Sequence, residues 1–471
     1  MKTGNSTTRK DQGDFAHGSI GKNILRLAVP LMMAQIINML YNIVDRIYLG
    51  HIEGEGRLAL TGVGVAFPLI TLTTAFTNMF GHGGAPHFAM DRGKGDDESA
   101  SRIMGNSCAM MILSSFVIMA AILLFKKPIL YLFGASDVTY EYANSYITVY
   151  VLGTTFSMLS IGMNNFINSQ GFGTVGMLSV AIGAVANIIL DPIFIFAMDM
   201  GVVGAALATI LSQLMSAVWV MHFLIGKKVP VRLRLSHMKL RWSILKRIIS
   251  LGFTPFIMSA TTGMVQALYN RNLQIYGGDI YVTAMTVTTS IREMMQMGMQ
   301  GMTRGAGPVI SYNYGAGLRD RTRAAIRFMG TFAVIYTAVV WVIIWIFPNA
   351  LLKIFNSDPE LMEIGPTVVR LFFSMQVPMA LQAVGQNTFL SLGMAKYGTF
   401  FSLLRKVAIV TPLILILPHF FSVPVLGVVA AEPVSDVLGG CACFTTMYFA
   451  VYRKLKTGEP LGLGGGKKKT L

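Results

Sequence analysis

The stretch "GGAPHFAMDRGKG" at Gly83–Gly95 recurs 222 residues later as "GAGPVISYNYGAG" at Gly305–Gly317, with Pro86 matching Pro308. Other echoes keep nearly the same spacing. "LFGASD" (Leu132–Asp137) returns as "IFNSD" (Ile354–Asp358), and "SQG" (Ser169–Gly171) returns as "SLG" (Ser391–Gly393), again 222 positions on. "LAVP", ending at Pro30, returns as "GFTP", ending at Pro255, 225 positions on. A similar offset held across several motifs marks a duplication in which each copy is about half of the chain.

Composition says what kind of chain was duplicated. Of its 471 residues 53% are hydrophobic and only 13% are charged, against about 25% charged in soluble domains. Mean hydropathy is +0.58. Twelve apolar runs, at 24–50, 61–90, 103–125, 141–167, 176–198, 203–225, 247–275, 282–312, 325–347, 366–392, 401–422 and 427–452, are each predicted as a helix. Each is long enough to cross a hydrocarbon core of about 30 Å. The expected fold is an all-α integral membrane protein with twelve transmembrane helices in two pseudo-symmetric six-helix lobes. Six is even, so the repeat is parallel about an axis along the membrane normal, the plan of alternating-access carriers with a cavity between their halves. The expected divisions are an N-terminal tail (1–23), an N-lobe (24–226), a basic linker (227–246), a C-lobe (247–452) and a C-terminal tail (453–471).

The net charge of +16 suggests nucleic acid, but the basic residues sit in short connections beside apolar spans, which is the topogenic pattern. Lys227–Arg247 carries eight of them, and Arg319, Arg321, Arg323 and Arg327 follow between spans eight and nine. Acidic turns such as "HIEGEG" and "NSDPELME" occupy the other side. Both termini are therefore expected in the cytoplasm, with the chain multi-pass in the cell (inner) membrane and no nucleic-acid partner. Met1–Lys22 is polar and basic, and the run after it is too long for a cleavable signal. The tail with "GLGGGKKK" reads as disordered. Cys108, Cys441 and Cys443 fall in apolar segments without metal-binding spacing, so no resident metal or tightly bound cofactor is expected.

Five acids lie inside predicted spans: Asp45, Asp191, Glu293, Glu432 and Asp436. Each costs about 2.5–3.5 kcal/mol at mid-bilayer on insertion scales, which calls for a reason. Counting at 1.5 Å per residue puts Asp45, Asp191 and Thr209 within roughly 10 Å of the same outer plane. Asn187 lies one turn deeper than Asp191 on the same face. Two carboxylates, an amide oxygen and a hydroxyl at one level suit a hard monovalent cation such as Na⁺, or a shared proton. A structural pairing of each acid with a nearby arginine is the other reading. Pro192, next to Asp191, is predicted to kink its helix beside water, as Pro30 and Pro255 are in theirs.

The duplication does not copy this set. Carried across, Asp45 falls on Asn270 and Asp191 on Leu413, whereas Thr209 falls on Glu432 and Gln213 on Asp436. Coupling is thus expected in the first half. Glu293, Glu432 and Asp436 are expected either to face the cavity or to pair with Arg292, Arg370 or Arg405. The 32 methionines, including Met295 in "REMMQMGMQGM" (Arg292–Met302), offer soft apolar surface for varied lipophilic cations.

"ILRLAVPLMMAQIINMLYNIVDRIYLGHI", "ANIILDPIFIF" and "GVVGAALATILSQ", with the Gly-Pro elbow above, resemble the multidrug and toxic compound extrusion (MATE) family across essentially all twelve spans. "GVVAAEPVSDVL" resembles its bacterial multidrug-export branch. The resemblance implies secondary active export of cationic or amphipathic organic compounds by antiport with H⁺ or Na⁺. It implies a first-lobe cation site at Asp45, Asn187, Asp191 and Thr209 with Tyr146, and drug-facing amides at Asn38 and Asn164. Some relatives carry an acid in the seventh span, where Gln266 and Asn270 stand here, so a second-lobe site of that type is not implied. A monomer in the lipid bilayer is expected. The alternatives are a flippase for lipids or lipid-linked saccharides and, remotely, a membrane-embedded enzyme. No HExxH, GxSxG or Walker loop supports the last.

Overall fold

A computed structural model describes residues 14–52, 56–133, 135–355 and 358–461. All regular structure among them is helical. In chain order the spans are α1 (Ile20–Gly50), α2 (Gly56–Gly93), α3 (Asp97–Leu132), α4 (Asp137–Leu152 and Thr154–Ser169, bent by 58°), α5 (Gly173–Ala197) and α6 (Gly201–Ile225). The continuous element Trp242–Gly315 breaks at Gly278 (φ 71°, ψ −169°), giving α7 before the break and α8 after it. α9 (Arg319–Ile346), α10 (Pro359–Phe373 and Gln376–Ser391, bent by 44°), α11 (Ala395–His419) and α12 (Pro424–Thr457) follow. Twelve crossings result among the described residues. The helices begin several residues before the apolar runs, because a helix continues through the interface once its backbone bonds are satisfied internally. The C-terminal tail is described only as far as Leu461.

The motifs that betray the duplication have a backbone cause. Gly95 and Gly317, 222 residues apart, both end a span with positive φ, at 80° and 74°. Gly171 and Gly393 do the same at 92° and 71°. A side chain at any of these four would be strained. Gly83 and Gly305, the first residues of the repeated elbow, instead permit close approach. A Cβ on Gly83 would lie 2.4 Å from the Ile248 carbonyl oxygen on α7, and one on Gly305 would lie 2.6 Å from the Ala28 nitrogen on α1. Small residues at such crossings let helix backbones meet in a membrane.

The chain divides into two compact units, though not at the expected linker. The first comprises Val29–Phe256 and the described residues before Gly18; the second comprises Gly18–Ala28 and the described part of Ile257–Leu471. The first turns of α1 thus belong with the second half, and the first turns of α7 with the first half. The two changes of unit fall beside Pro30 and Pro255, where the missing amide hydrogen weakens the helix ladder. Residues 227–246 are not a free tether. Ser101 Oγ donates to the Arg232 carbonyl (2.9 Å), Asn106 Nδ2 to the His237 carbonyl (3.1 Å), and the Val231 amide donates to Gln170 Oε1 (3.0 Å), pinning the segment to the first unit. The same unit holds Arg247 against buried Asp91 at 3.2 Å.

Each unit has its own apolar core. In the first, Phe80, Phe88, Met104, Cys108, Met111 and Phe166 pack together; in the second, Val368, Phe372, Phe373, Ile414 and Val428 do. Outward-facing Leu124 and Leu132 are 76% and 80% exposed, as expected of side chains meeting lipid.

Candidate cation-coupling site

In the first unit four spans bring five of the predicted residues to one place. Asn187 Nδ2 donates to Asp191 Oδ1 at 3.1 Å, one turn apart on α5, and both side chains are completely buried. The carboxyl of Asp45 on α1 lies within hydrogen-bonding reach of the Asp191 carboxyl. Thr209 on α6 donates to the Ala205 carbonyl at 3.0 Å, and the hydroxyls of Tyr146 (α4) and Tyr41 (α1) lie beside its own. Tyr146 is held in place by stacking on Tyr150, with ring centroids 5.8 Å apart.

The electrostatics of this group are incomplete. Asp45 Oδ1, Asp191 Oδ2 and Asn187 Oδ1 are all buried and none receives a hydrogen bond. Two carboxylates in contact in a low dielectric repel strongly, and buried acceptors without donors cost about 1–3 kcal/mol each. A proton shared between the acids would relieve the repulsion, and a hard cation beside them would also give donorless oxygens a partner. The donor set is all oxygen, as suits a hard ion. Pro192 follows directly, and the helix beyond it widens into a π-helical turn at Ile193–Ala197. Such turns collect at functional sites and supply bending freedom. Tyr41, one turn before Asp45, was not expected here; its i−4 spacing from Asp45 was the available signal.

The second unit builds something different. Arg405 Nη2 contacts Glu432 Oε1 at 2.6 Å and Asp436 Oδ1 at 2.7 Å, and Arg292 Nη1 reaches Glu432 Oε1 at 2.8 Å. Lys406 stands 3.8 Å from the same oxygen. Of the arginines expected to pair with these acids, Arg292 and Arg405 do so, while Arg370 donates to the Trp345 carbonyl at 3.4 Å. Lys406 was missed, although a second cation beside Arg405 in the apolar run 401–422 was visible.

The remaining predicted residues scatter. Asn38 and Glu293 are exposed. Asn164, expected to face a drug cavity, is buried in the first unit with Nδ2 on the Gly176 carbonyl at 3.1 Å. Met295 is buried in the second, its carbonyl accepting from the Tyr336 hydroxyl at 2.9 Å.

Comparison with known proteins agrees with this architecture. The MatE family model matches residues 30–193 and 243–416, once in each half. The chain belongs to the MatE family. As a family member it is a multi-pass membrane transporter and not an enzyme. A relative named multidrug export protein MepA, from Staphylococcus saprophyticus, is 22% identical over 434 residues, covering 92% of this chain and 95% of its own. MepA of Staphylococcus aureus strain NCTC 8325 is 22% identical over 437 residues, with the same coverage. Among solved structures, an outward-facing multidrug resistance MATE transporter of the MOP superfamily superposes with a TM-score of 0.88 at 22% identity. It covers 95% of this chain and 99% of its own. A MOP superfamily transporter from Pyrococcus furiosus Vc1, for which reversed polarity of the binding pocket suggests a different function, gives the same figures. At this identity the structures speak for the fold, which is the MatE arrangement of twelve helices in two lobes.

Proposed function

We propose that this protein is a secondary active exporter of cationic and amphipathic organic compounds, working by alternating access and driven by inward movement of H⁺ or Na⁺. The family assignment and the multidrug export names of its relatives support the export half of this reading. The observation that carries the coupling half is that three neighbouring side chains, Asp45, Asp191 and Asn187, each hold a buried oxygen that receives no hydrogen bond.

The proposed cycle uses only those groups. With no cation present, the Asp45–Asp191 pair carries repelling negative charge, and conformations that separate the two acids or wet them are favoured. Entry of a proton or Na⁺ removes the repulsion and favours α1 and α5 together. Pro192 and the π-helical turn give α5 the freedom to respond. Transport requires that the two states bind the ion with different affinity. Asn38 and Glu293, both exposed, are the residues proposed to meet substrate.

The test is export of a fluorescent lipophilic cation by the full chain in proteoliposomes, under a Na⁺ gradient at fixed pH and, separately, a pH gradient without Na⁺. Export driven by one gradient names the ion. Export indifferent to both overturns the coupling, and gradient-driven movement of a fluorescent phospholipid in place of the drug selects the flippase reading.

A further inference from the structure

Arg292, Lys406 and Glu432 of the second unit's charged cluster line a small, partly open pocket bordered by α7, α8, α10, α11 and α12. Three cations (Arg292, Arg405, Lys406) stand against two carboxylates (Glu432, Asp436), so positive charge is in excess even with both acids ionised. The contacts are also uneven. All three cations lean on the single oxygen Glu432 Oε1, and the Lys406 ammonium, at 3.8 Å, makes no hydrogen bond among the described residues. Arg292 spends one Nη on Glu432, while its guanidinium lies over the Phe372 ring at 5.1 Å. That stacking leaves the other edge of the plane available. Both side chains border the pocket, as do Thr289, Gln266 and Tyr269, whose buried hydroxyl sits beside the Glu432 backbone outside hydrogen-bond geometry.

An unneutralised cation inside a membrane protein is expensive and needs a partner. A planar guanidinium beside an ammonium, with the unpartnered Tyr269 hydroxyl on the same wall, is a donor set that holds oxyanions. The backbone contributes as well: Leu404–Val410 is π-helical, and this wider turn carries both Arg405 and Lys406.

We propose that this pocket is a binding site for an oxyanion, a carboxylate or a phosphate, held by Lys406 and the free edge of Arg292. The unit that holds the acid pair would then attract cations while the other attracts an anionic group. The oxyanion belongs either to an amphiphilic compound bearing an acid or to the headgroup of an anionic phospholipid. The inference goes beyond the export reading, and binding is measured without any gradient, so failure of one does not entail failure of the other.

The experiment uses the purified full chain in neutral detergent at constant ionic strength. Thermal unfolding is followed while benzoate, inorganic phosphate or short-chain phosphatidylglycerol is titrated, with short-chain phosphatidylcholine as the control. A saturable rise with benzoate or phosphate identifies a free oxyanion, and one with phosphatidylglycerol alone identifies the lipid headgroup. Either supports the site if Lys406→Gln weakens the apparent affinity by about tenfold, the worth of one charge-assisted hydrogen bond, and Lys406→Arg restores it. The Lys406 ammonium makes no hydrogen bond among the described residues, so its replacement by Gln is expected to leave the fold intact; Arg292→Gln serves as the second variant. No saturable effect of any anion on the parent protein, or equal affinity in both Gln variants, overturns the proposal.

Discussion

Replacing Asp191 by Asn is the sharpest perturbation of the coupling site, because it keeps the side-chain shape and removes one charge. Asp191 is completely buried and meets the Asp45 carboxyl, so solvent screening is weak. Two unit charges 4 Å apart interact by about 4 kcal/mol at an effective dielectric near 20. A cation between the acids therefore loses about that much attraction in Asp191→Asn, roughly three decades of affinity at 1.4 kcal/mol per decade. The fold should not suffer, since the substitution also removes like-charge repulsion. Two measurements separate the effects. In proteoliposomes the ion dependence of drug export is expected to disappear within the accessible concentration range; in detergent the unfolding midpoint is expected to stay level or rise. Wild-type export with wild-type ion dependence would refute the coupling role. A large fall in the midpoint would show that the carboxylate serves folding instead.

Glu432→Gln strikes the second cluster, where three cations lean on one oxygen. Leaving buried charge unpaired costs about 3–5 kcal/mol, so thermal unfolding should begin far lower, and an unchanged midpoint would contradict the ion-pair geometry. Gly252→Ala would put a Cβ 1.8 Å from the Met79 carbonyl oxygen. Overpacking of about 1–3 kcal/mol is expected from that contact, again read by thermal unfolding. Tyr146→Phe deletes a hydroxyl beside Thr209 and should weaken ion affinity by about fivefold, as for the loss of one neutral hydrogen bond of about 1 kcal/mol, without changing the midpoint. Isothermal titration with the coupling ion checks the last.

The duplicated architecture leaves the two units with unequal electrostatics. Repeat-related positions on α6 and α12 carry Thr209 in one unit and Glu432 in the other. In the first unit two acids lie side by side; in the second, arginines take up the acids and a lysine is left over. One backbone plan thus carries sites of opposite preference, since fold is set by apolar pattern and glycine placement while the site is set by a few side chains.

What the sequence determined alone were the features that depend on neighbours along the chain. Twelve spans followed from apolar runs, because the bilayer admits only helices of that length. The duplication was legible because Gly95, Gly171, Gly317 and Gly393 occupy backbone angles that favour glycine, and such positions keep their spacing. The level shared by Asp45, Asp191 and Thr209 could be counted, since rise per residue fixes depth along a helix. Rotation about the helix axis and choice of neighbour cannot be counted, and the tertiary structure decided both. It turned Asn164 inward to Gly176, brought Tyr41 to Thr209, and set Lys406 beside Glu432. It also assigned the first turns of α1 and α7 to the opposite half. Contacts between residues 140 apart, as in Arg292–Glu432, depend on how helices pack, and packing is a property of the whole chain.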